Sequence, residues 1–409
     1  MTNSKPAYGV FSIPVIVGAL GYFVDIYDLL LFGIIRKQSL MDLGLNATQI
    51  TTIGEDIISV QMAGLLIGGI IWGVMGDKRG RLSVLFGSII LYSLANIANG
   101  LVVNTTQYMT VRFIAGVGLA GELGAGITLV SELLSKEKRG IGTSLVAGIG
   151  LTGAVVAYFI SREFHWRTCY YIGGGLGLLL LLLRISVFES GMFHEVKKQN
   201  VSRGNFLMFF NNRTRFKKYM LSILIGLPTW FVIGVLVTFS DQFAQHLQIQ
   251  GEVQPGKAIM FAYVAISIGD VLVGLVSQWL RSRKKALYIF YGITALFMVL
   301  FFTQRGSAAQ MYVLCAGLGF GTGFWAIFVT MAAEQFGTNL RATAATTVPN
   351  MVRGALPLII ILFKALRTNE SIGYINAGII TGVIVVVISL VATYFTKETF
   401  GKDLNYVET

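Results

Sequence analysis

The chain is poor in charged residues: Asp, Glu, Lys and Arg make up 13% of its 409 residues. Soluble domains carry about 25%, so almost no room remains for one. Hydrophobic residues reach 54%, and apolar stretches of about 20 residues, each able to cross a hydrocarbon core, recur along the chain. The pattern predicts an all-α integral membrane protein whose surroundings are a lipid bilayer. The net charge of +12 is accounted for by membrane sidedness, so no nucleic-acid partner is implied.

Residues that build catalytic and metal centres are also scarce. The two cysteines, Cys169 and Cys315, fall in different halves of the chain, so no disulfide framework or metal motif follows. The three histidines, His165, His194 and His246, fall in predicted loops or at helix ends. No G-x-x-x-x-G-K-[ST] segment is present to bind a nucleotide. We therefore expect neither an enzyme nor a cofactor or metal.

The apolar stretches predict twelve transmembrane helices. Their predicted ranges are 11–35, 54–76, 82–102, 107–134, 140–161, 168–189, 218–246, 258–280, 286–303, 309–335, 342–366 and 372–396. They form an N-terminal six-helix bundle (1–189) and a C-terminal one (218–409), joined by a cytoplasmic linker (190–217). In the linker, we expect the small amphipathic patch around Phe206 and Phe210 to lie along the membrane surface.

The distribution of positive charge predicts the orientation. Of the 32 Lys and Arg residues, 21 fall on the side that holds both termini, 8 on the other side, and 3 within spans. Such a bias places both termini in the cytoplasm. The sequence thus predicts a bacterial inner-membrane protein, and we expect it to be a monomer.

A charge pattern recurs in the two halves. Glu132 and Arg139 have the same spacing as Glu334 and Arg341, about half the chain later. Similar hydropathy flanks both copies, which favours two related halves over chance recurrence. Each copy would lie at an equivalent helix–loop–helix junction. We include these four residues in a candidate conformational latch, a set of residues expected to hold one conformational state.

The loop after the second span reads GVMGDKRGRLS and resembles the major facilitator superfamily, whose pattern is G-x-x-x-D-x-x-G-R-R/K. Gly73, Asp77, Gly80 and Arg81 match, while Leu82 replaces the last basic residue. The resemblance implies two pseudo-symmetric six-helix bundles, with this loop as a conformational latch. The alternative is a charged turn that only sets topology.

The first span contains GYFVDIYDLLLFG, in which Asp25 and Asp28 share one helix face near mid-membrane. An acid at the bilayer centre costs about 2.5–3.5 kcal/mol, so such residues usually face a cavity and mark an ion or substrate path. The alternative is an inert, hydrogen-bonded buried acid. The segment also resembles G-x-x-x-E-W-Y-D-F-x-x-Y-G of metabolite:proton symporters, matching at Gly21, Tyr27, Asp28 and Gly33.

Two further sites of that branch have counterparts. Residues 121–124 (GELG) resemble its G-G-E-W/Y-G motif, and residues 334–341 resemble E-x-F-P-T-x-x-R. In the fourth span, Arg112 lies toward the outer side, with Glu122 about 15 Å deeper. Sugar porters resemble this arrangement, with a first-helix aspartate facing the fourth-helix arginine. We therefore predict Asp28 and Arg112 as the proton-coupling pair, tuned by Asp25 and Glu122, although Arg112 could instead snorkel to the headgroups.

In the C-terminal half, Arg353 and Asp270 are predicted at similar mid-membrane depth. They either pair with each other or bind cargo, since a guanidinium offers a bidentate fork to a carboxylate. Pro349 and Pro357 flank Arg353 and are expected to break its helix beside a cavity. The other candidate cargo contacts are Tyr27, Trp230, Tyr263, Trp325 and Asn350.

These features predict a secondary transporter that carries a small organic anion with protons by alternating access. Its partners are then a small-molecule substrate and protons. The alternatives are an exporter or facilitator of drugs, sugars or a polycarboxylate siderophore and, outside transport, a membrane sensor or an intramembrane enzyme.

Overall fold

The structure is a computed structural model that describes residues 9, 11–79, 81–122, 134, 139–189 and 206–402. Ten helical stretches of the described ranges are long and apolar enough to cross a membrane. The shorter apolar helix of the third span and the described part of the fourth complete the predicted set of twelve. The fold class is therefore confirmed, while the residue limits of the two halves and the linker stay a prediction.

The described residues form sixteen α-helices. They are α1 (Ile13–Asp42), α2 (Ala47–Arg79), α3 (Arg81–Asn99), α4 (Thr105–Leu119), α5 (Arg139–Glu163), α6 (Trp166–Glu189), α7 (Arg213–Ile225), α8 (Leu227–Phe231), α9 (Ser240–His246), α10 (Pro255–Trp279), α11 (Arg283–Thr303), α12 (Ala308–Thr322), α13 (Trp325–Glu334), α14 (Thr338–Gly354), α15 (Leu356–Arg367) and α16 (Gly373–Phe395). The only β pairing in the described ranges is an isolated bridge between Gln250 and Ser307.

Three spans of the C-terminal half are interrupted. The seventh passes from α7 through α8 and a π-helical turn at Val232–Val237 to α9. The tenth is divided into α12 and α13, and the eleventh into α14 and α15. Membrane helices interrupted in this way expose backbone groups that are usually buried in protein or line a cavity.

Equivalent glycine contacts relate the two halves. A Cβ added to Gly116 of α4 would collide with the carbonyl of Gln61 on α2, and one on Gly319 of α12 with the carbonyl of Ala262 on α10. The same helix pairs therefore cross backbone to backbone in each half, which only a residue without a side chain permits.

Helix caps repeat in the same way. The Asn104 side chain accepts from the Gln107 backbone N–H at the start of α4, and Ser307 accepts from that of Gln310 at the start of α12. Capping by a short polar side chain fixes where each helix begins. Its recurrence at equivalent helices supports the repeat inferred from the charge pattern.

The halves meet where α2 packs on α14 and α15, and where α10 packs on α5 and α1. Gly69 of α2 faces Asn350, and a Cβ on Gly73 would lie 3.3 Å from Thr347 of α14. We call the end of the bundle near the chain termini the terminal end and the opposite one the distal end. The central site lies between them, at the junction of the halves.

The patch predicted around Phe206 and Phe210 has a buried and an exposed side. Phe206 and Phe209 form a 3-10 turn and are 4% and 0% exposed, whereas Phe210 is 49% exposed. Phe209 stacks on Tyr219 of α7 and meets the Phe336 ring edge to face. Aromatic packing thus fixes the buried side of the patch on the C-terminal half, and its location at the membrane surface stays a prediction.

Candidate functional site

The centre of the bundle holds an ion pair that joins the halves. Asp25 of α1 and Arg353 of α14 are 0% and 1% exposed, and Arg353 Nη2 lies 3.7 Å from Asp25 Oδ2. That distance is too long for a hydrogen bond. Among the described residues, neither Asp25 carboxylate oxygen and neither Nε nor Nη1 of Arg353 has a hydrogen-bond partner. A buried guanidinium with unused donors is suited to bind a carboxylate.

Aromatic rings stand beside this guanidinium. The Arg353 Cζ atom lies 5.8 Å from the centroid of the Trp230 ring, and Trp325 meets Trp230 edge to face at 6.4 Å. The Trp230 Nε1 and the neighbouring Thr229 hydroxyl are buried without a hydrogen-bond partner among the described residues. The wall therefore offers both ring faces and free donors to a ligand.

Two tyrosines complete the polar surroundings. Tyr263 of α10, a predicted contact, is 5% exposed and lies near both Arg353 and Asp25. Tyr22 of α1, 7% exposed, lies near the same two residues. Tyr22 lies one turn before Asp25, so the helical repeat brings both to one face.

The interrupted eleventh span positions Arg353. Pro349 lies inside α14, which ends at Gly354, and Pro357 lies in the first turn of α15. Both prolines lack the N–H that would continue the helical hydrogen bonding. The expected helix break beside Arg353 is therefore present.

A small cavity lies next to the central pair, between the halves. It is lined mostly by apolar side chains from both halves and by the polar Gln61, whose amide donates to the Leu29 carbonyl at 3.2 Å. The lining consists of Leu29, Leu30, Gly33, Ile58, Gln61, Met62, Trp230, Ile233, Gly234, Thr238, Ile259 and Leu356. Trp230 belongs both to this lining and to the wall beside Arg353.

Asp28 and Arg112 are adjacent within the N-terminal half, and both are fully buried. The guanidinium donates to the backbone carbonyl of Asp28 at 3.1 Å and to the Asn96 side chain at 3.4 Å. Neither Asp28 carboxylate oxygen has a hydrogen-bond partner among the described residues. Arg112 is thus held by neutral groups next to the Asp28 carboxyl group.

Glu122 is bound differently from the other candidate acids. Both of its carboxylate oxygens accept from Arg184 of α6, one of them at 3.0 Å, and both side chains are buried. A Cβ on Gly21 of α1 would overlap this pair, so the glycine gives it room. The bidentate pair therefore ties α6 to the end of α4 within the N-terminal half.

Asp270 does not pair with Arg353, so that sequence alternative is wrong. Its Oδ1 accepts from the backbone N–H of Ala326 at 2.9 Å, and the Trp325 N–H also donates to the carboxylate. The helix start of α13 thus supplies the charge compensation that depth alone had assigned to Arg353. The carboxylate partner of Arg353 is Asp25 on the other half.

Two predicted cargo contacts serve the packing of helices. The Tyr27 hydroxyl donates to the Cys169 carbonyl at 2.9 Å, within the N-terminal half. The Asn350 amide donates to the Ala120 carbonyl at 2.8 Å and thereby joins α14 to the end of α4. Tyr27 therefore lies away from the cavity, and Asn350 is an inter-half contact whose Oδ1 has no partner among the described residues.

Two largely buried ionic contacts join the halves at the distal end. Arg36 Nη2 lies 2.8 Å from Asp241 Oδ1, with side-chain exposures of 0% and 7%. Hydropathy had placed Arg36 in a loop, but α1 continues to Asp42 and buries it. This prediction is corrected because the arginine finds an acid on α9 across the interface.

The second distal contact involves Glu55 of α2, which is 1% exposed. Arg367 donates to both of its carboxylate oxygens, once at 2.7 Å, and Lys364 lies 3.5 Å away. Asp56 also pairs with Lys364. Because α2 and α15 belong to different halves, this cluster joins the two halves at the distal end.

At the terminal end, only part of the candidate latch can be described. Gly80 and Glu132 lie outside the described residues, as do the side chains of Asp77, Arg81 and Arg139. Gly73 lies at the close approach of α2 to α14.

For the second copy of the charge pattern, the salt bridge described for Glu334 is with Arg283 of α11, at 3.3 Å. Arg341 donates to the Phe336 carbonyl at 3.4 Å. Glu334 thus ties together two junctions of the same half.

Glu398, beyond the last span, caps α11. Its carboxylate accepts from the Ser282 hydroxyl and from the backbone N–H groups of Arg283 and Lys284, at 2.9 and 3.2 Å. Partial burial raises the pKa of this carboxyl, but the hydrogen bonds from Ser282 and from backbone N–H groups, including that of Phe400, outweigh it and lower the pKa. The acid therefore stays ionised and fastens the C-terminal segment to α11.

The family profile of the Major Facilitator Superfamily matches residues 18–361, which include Asp25, Asp28 and Arg353. The chain belongs to the Major Facilitator Superfamily. It is accordingly an integral membrane protein of a transporter family and not an enzyme.

Three curated relatives of this superfamily member are named for small organic acids. The chain is 26% identical to the niacin transporter NiaP of Acinetobacter baylyi, with 90% of this chain and 92% of the relative covered. It is 24% identical to the gentisate transporter of Corynebacterium glutamicum, with 81% and 75% covered. It is 26% identical to the 3-(3-hydroxy-phenyl)propionate transporter of Escherichia coli, with 71% and 72% covered.

The same architecture occurs in a solved structure. The crystal structure of a D-xylose-proton symporter matches with a TM-score of 0.69 and 17% identity, over 95% of this chain and 99% of that one. At this identity the likeness shows that the two proteins share the major facilitator fold.

Several functional candidates of this superfamily member escaped the sequence prediction. The sequence analysis assigned no partner to Glu55 or Arg184, although each forms an ion pair in the structure. Tyr22 and Gln61 were also missed, because only acids and arginines were considered. Each is a polar residue inside an apolar span, so a count of all polar residues in the spans would have found these two.

Proposed function

We propose that this chain is a secondary transporter that carries a small aromatic carboxylate together with protons by alternating access. The observation that carries the proposal is the buried Arg353, with two nitrogens free of hydrogen-bond partners among the described residues, beside the Trp230 ring. The names of the relatives support the same cargo class, since niacin, gentisate and hydroxyphenylpropionate are aromatic acids.

The cargo carboxylate would accept from the Nη1 or Nε group of Arg353, neither of which has a partner among the described residues. Its ring would then lie against Trp230 and Trp325, where aromatic pairs contribute about 0.5–1.5 kcal/mol beyond the burial of area. Asp25 competes for the same guanidinium from the other half. Binding of an anion therefore weakens an inter-half contact, which is what a cargo must do to promote rearrangement of the halves.

Asp28 is the proposed proton carrier. It is fully buried, and its ionised form relies on the nearby positive charge of Arg112 and on the neighbouring Asn96 side chain. A rearrangement that moves the arginine away would favour proton uptake, and the return would favour release. Asp25 takes part in the same proton balance because cargo removes its counter-charge.

The charge bias supports an orientation in which the terminal end faces the cytoplasm and the distal end faces outward. In that orientation, the ionic contacts of Arg36 and Glu55 close the outer side. The state described here would then be one in which cargo cannot enter from outside until these contacts separate.

Two ligands with the same ring test the cargo proposal. Nicotinate and nicotinamide differ in having a carboxylate or an amide, and each is added to purified protein in a thermal-shift assay. We expect nicotinate to raise the melting temperature and nicotinamide to have little effect. Arg353→Gln should remove the response, whereas Arg305→Gln, at an exposed loop position, should keep it. Equal responses to acid and amide, or a full response in Arg353→Gln, would contradict the proposal.

A further inference from the structure

The tenth span is interrupted where an acid from another helix meets it. The break falls at Gly323 and Phe324, and α13, ten residues long, has no side-chain cap from its own N-cap residue. Instead, the Asp270 carboxylate of α10 accepts from the backbone N–H groups of Trp325 and Ala326. A carboxylate at this end satisfies orphan donors and complements the positive end of the helix dipole.

Close packing of glycines brings the acid to this place. A Cβ on Gly269 would lie 2.6 Å from the Phe320 carbonyl and 3.0 Å from Gly323. Because Gly269 and Asp270 are consecutive, the close backbone contact at Gly269 also brings the Asp270 side chain to the start of α13. The packing of α10 on α12 therefore fixes the carboxylate at the break without relying on a long, flexible side chain.

The equivalent place in the N-terminal half is built without an acid. There, Gly68 of α2 approaches the Val117 carbonyl of α4 as Gly269 approaches that of Phe320. The residue that follows is Gly69, which faces Asn350 of the other half. The acid thus belongs to the C-terminal half alone, whose tenth span carries a tryptophan of the central site.

The first residue of α13 is that tryptophan. Trp325 meets Trp230 edge to face at 6.4 Å, and Trp230 in turn lies beside the Arg353 guanidinium at 5.8 Å. The Trp325 ring also packs on Phe328 with a centroid distance of 5.0 Å. A shift at the start of α13 would therefore move the aromatic wall at which the proposed cargo ring is placed.

We propose that Asp270 is a positioning residue that fixes the start of α13 and thereby the Trp325 wall of the cargo site. In this role it needs an acceptor oxygen but neither a charge nor a proton, and it does not touch cargo. The inference about the cap rests on the hydrogen bonds alone, and its consequence for cargo rests on the proposed function.

Amide hydrogen exchange of the segment 324–328 tests the cap without any ligand. Asp270→Ala removes the acceptor, and loss of a charge-assisted hydrogen bond should speed exchange by about tenfold or more. Asp270→Asn keeps an acceptor oxygen and should stay within about threefold of the wild type. Ser267→Ala is the matched control, because the Ser267 hydroxyl bonds only one turn back along α10, to the Tyr263 carbonyl. Unchanged exchange in Asp270→Ala, or equal acceleration in Asp270→Asn, would overturn the cap.

Transport separates positioning from direct participation. Asp270→Asn should keep nicotinate affinity and pH-driven uphill uptake near the wild-type values, while Asp270→Ala should raise the nicotinate Kd. If Asp270→Asn keeps the exchange protection but loses uphill uptake, the acid carries charge or a proton and the positioning role is refuted. If the exchange pattern is as expected and wild-type protein binds no nicotinate, the cap stands and the proposed cargo fails on its own.

Discussion

Glu55→Gln should open the distal side of the protein. Glu55 is 1% exposed and receives two hydrogen bonds from Arg367 of the opposite half, with Lys364 at 3.5 Å. The substitution keeps the shape of the side chain but removes its charge. Lys364 and Arg367 on α15 then face a neutral amide. This loss affects only the closed state, in which the three side chains are in contact.

The size of the effect follows from burial. Removing one partner of a fully buried ion pair costs about 3–5 kcal/mol. Lys364 and Arg367 keep side-chain exposures of 27% and 13%, so water recovers part of that loss. We take about 2 kcal/mol, which corresponds to a shift of roughly 30-fold toward the distal-open state.

Accessibility of a single cysteine measures this shift. Ile58 lies one turn below Glu55 on α2, lines the cavity and is 5% exposed. In a background with Cys169 and Cys315 replaced by Ala, Ile58→Cys reports access from the distal side to a membrane-impermeant thiol reagent. We expect Glu55→Gln to speed labelling by at least tenfold.

A matched control uses another contact between the halves at the same end. Lys37 and Glu252 lie 3.3 Å apart but are 47% and 72% exposed. Exposed pairs contribute about 0–1 kcal/mol, so Glu252→Gln should change labelling by less than about fivefold. An unchanged labelling rate in Glu55→Gln, or equal effects of the two variants, would refute the assignment of Glu55 to a closing contact.

Three further predictions concern coupling, stability and topology. Asp28→Asn should abolish pH-driven accumulation but keep cargo exchange at equal pH, and uphill uptake at the wild-type rate in proteoliposomes would exclude Asp28 as the carrier. Because hydrogen bonds lower the pKa of Glu398, its stabilisation is fully present above the ordinary value of 4.5 and is lost as pH falls through the lowered value. The melting temperature of Glu398→Gln should therefore lie below that of the wild type at pH 7, with a smaller difference in acid. Cysteines at Ser4, Ser202 and Thr409 should label only from the cytoplasmic side, and labelling from outside would contradict the orientation.

Depth along the chain predicted which charges lie at the centre, because an apolar span has few of them and a helix rises by a fixed step. Asp25, Asp28 and Arg112 were found in this way. The number of spans and their pairing into halves followed from hydropathy and the repeated charge spacing. Helix ends were less accurate: α1 extends to Asp42 because Arg36 is neutralised inside the protein.

Partners were harder to predict than positions. Arg353 was expected near Asp270, which shares its depth and its half of the chain, yet its acid lies on α1. Depth is one coordinate, whereas pairing depends on which helix face points at which neighbour. The helix break before Trp325 adds a second difficulty. It leaves free backbone N–H groups that bind Asp270, and a search limited to charged side chains does not find such donors.

The pairing of charges leads to a prediction about coupling. Three acids of the described core each lie near an arginine: Asp25 with Arg353, Asp28 with Arg112, and Glu122 with Arg184. Asp270 is compensated by the helix start of α13.

No positive charge is therefore spare when an anionic cargo reaches Arg353, and an unpaired buried charge is too costly to persist. One proton on Asp25 or Asp28 restores the balance for each carboxylate brought in. Uptake of a monocarboxylate should then be electroneutral: an imposed pH gradient should drive it, and a potassium diffusion potential set with valinomycin at equal pH should not. Uptake driven by the potential alone would mean that a second proton is carried, and the pairing of acids with arginines would not set the stoichiometry.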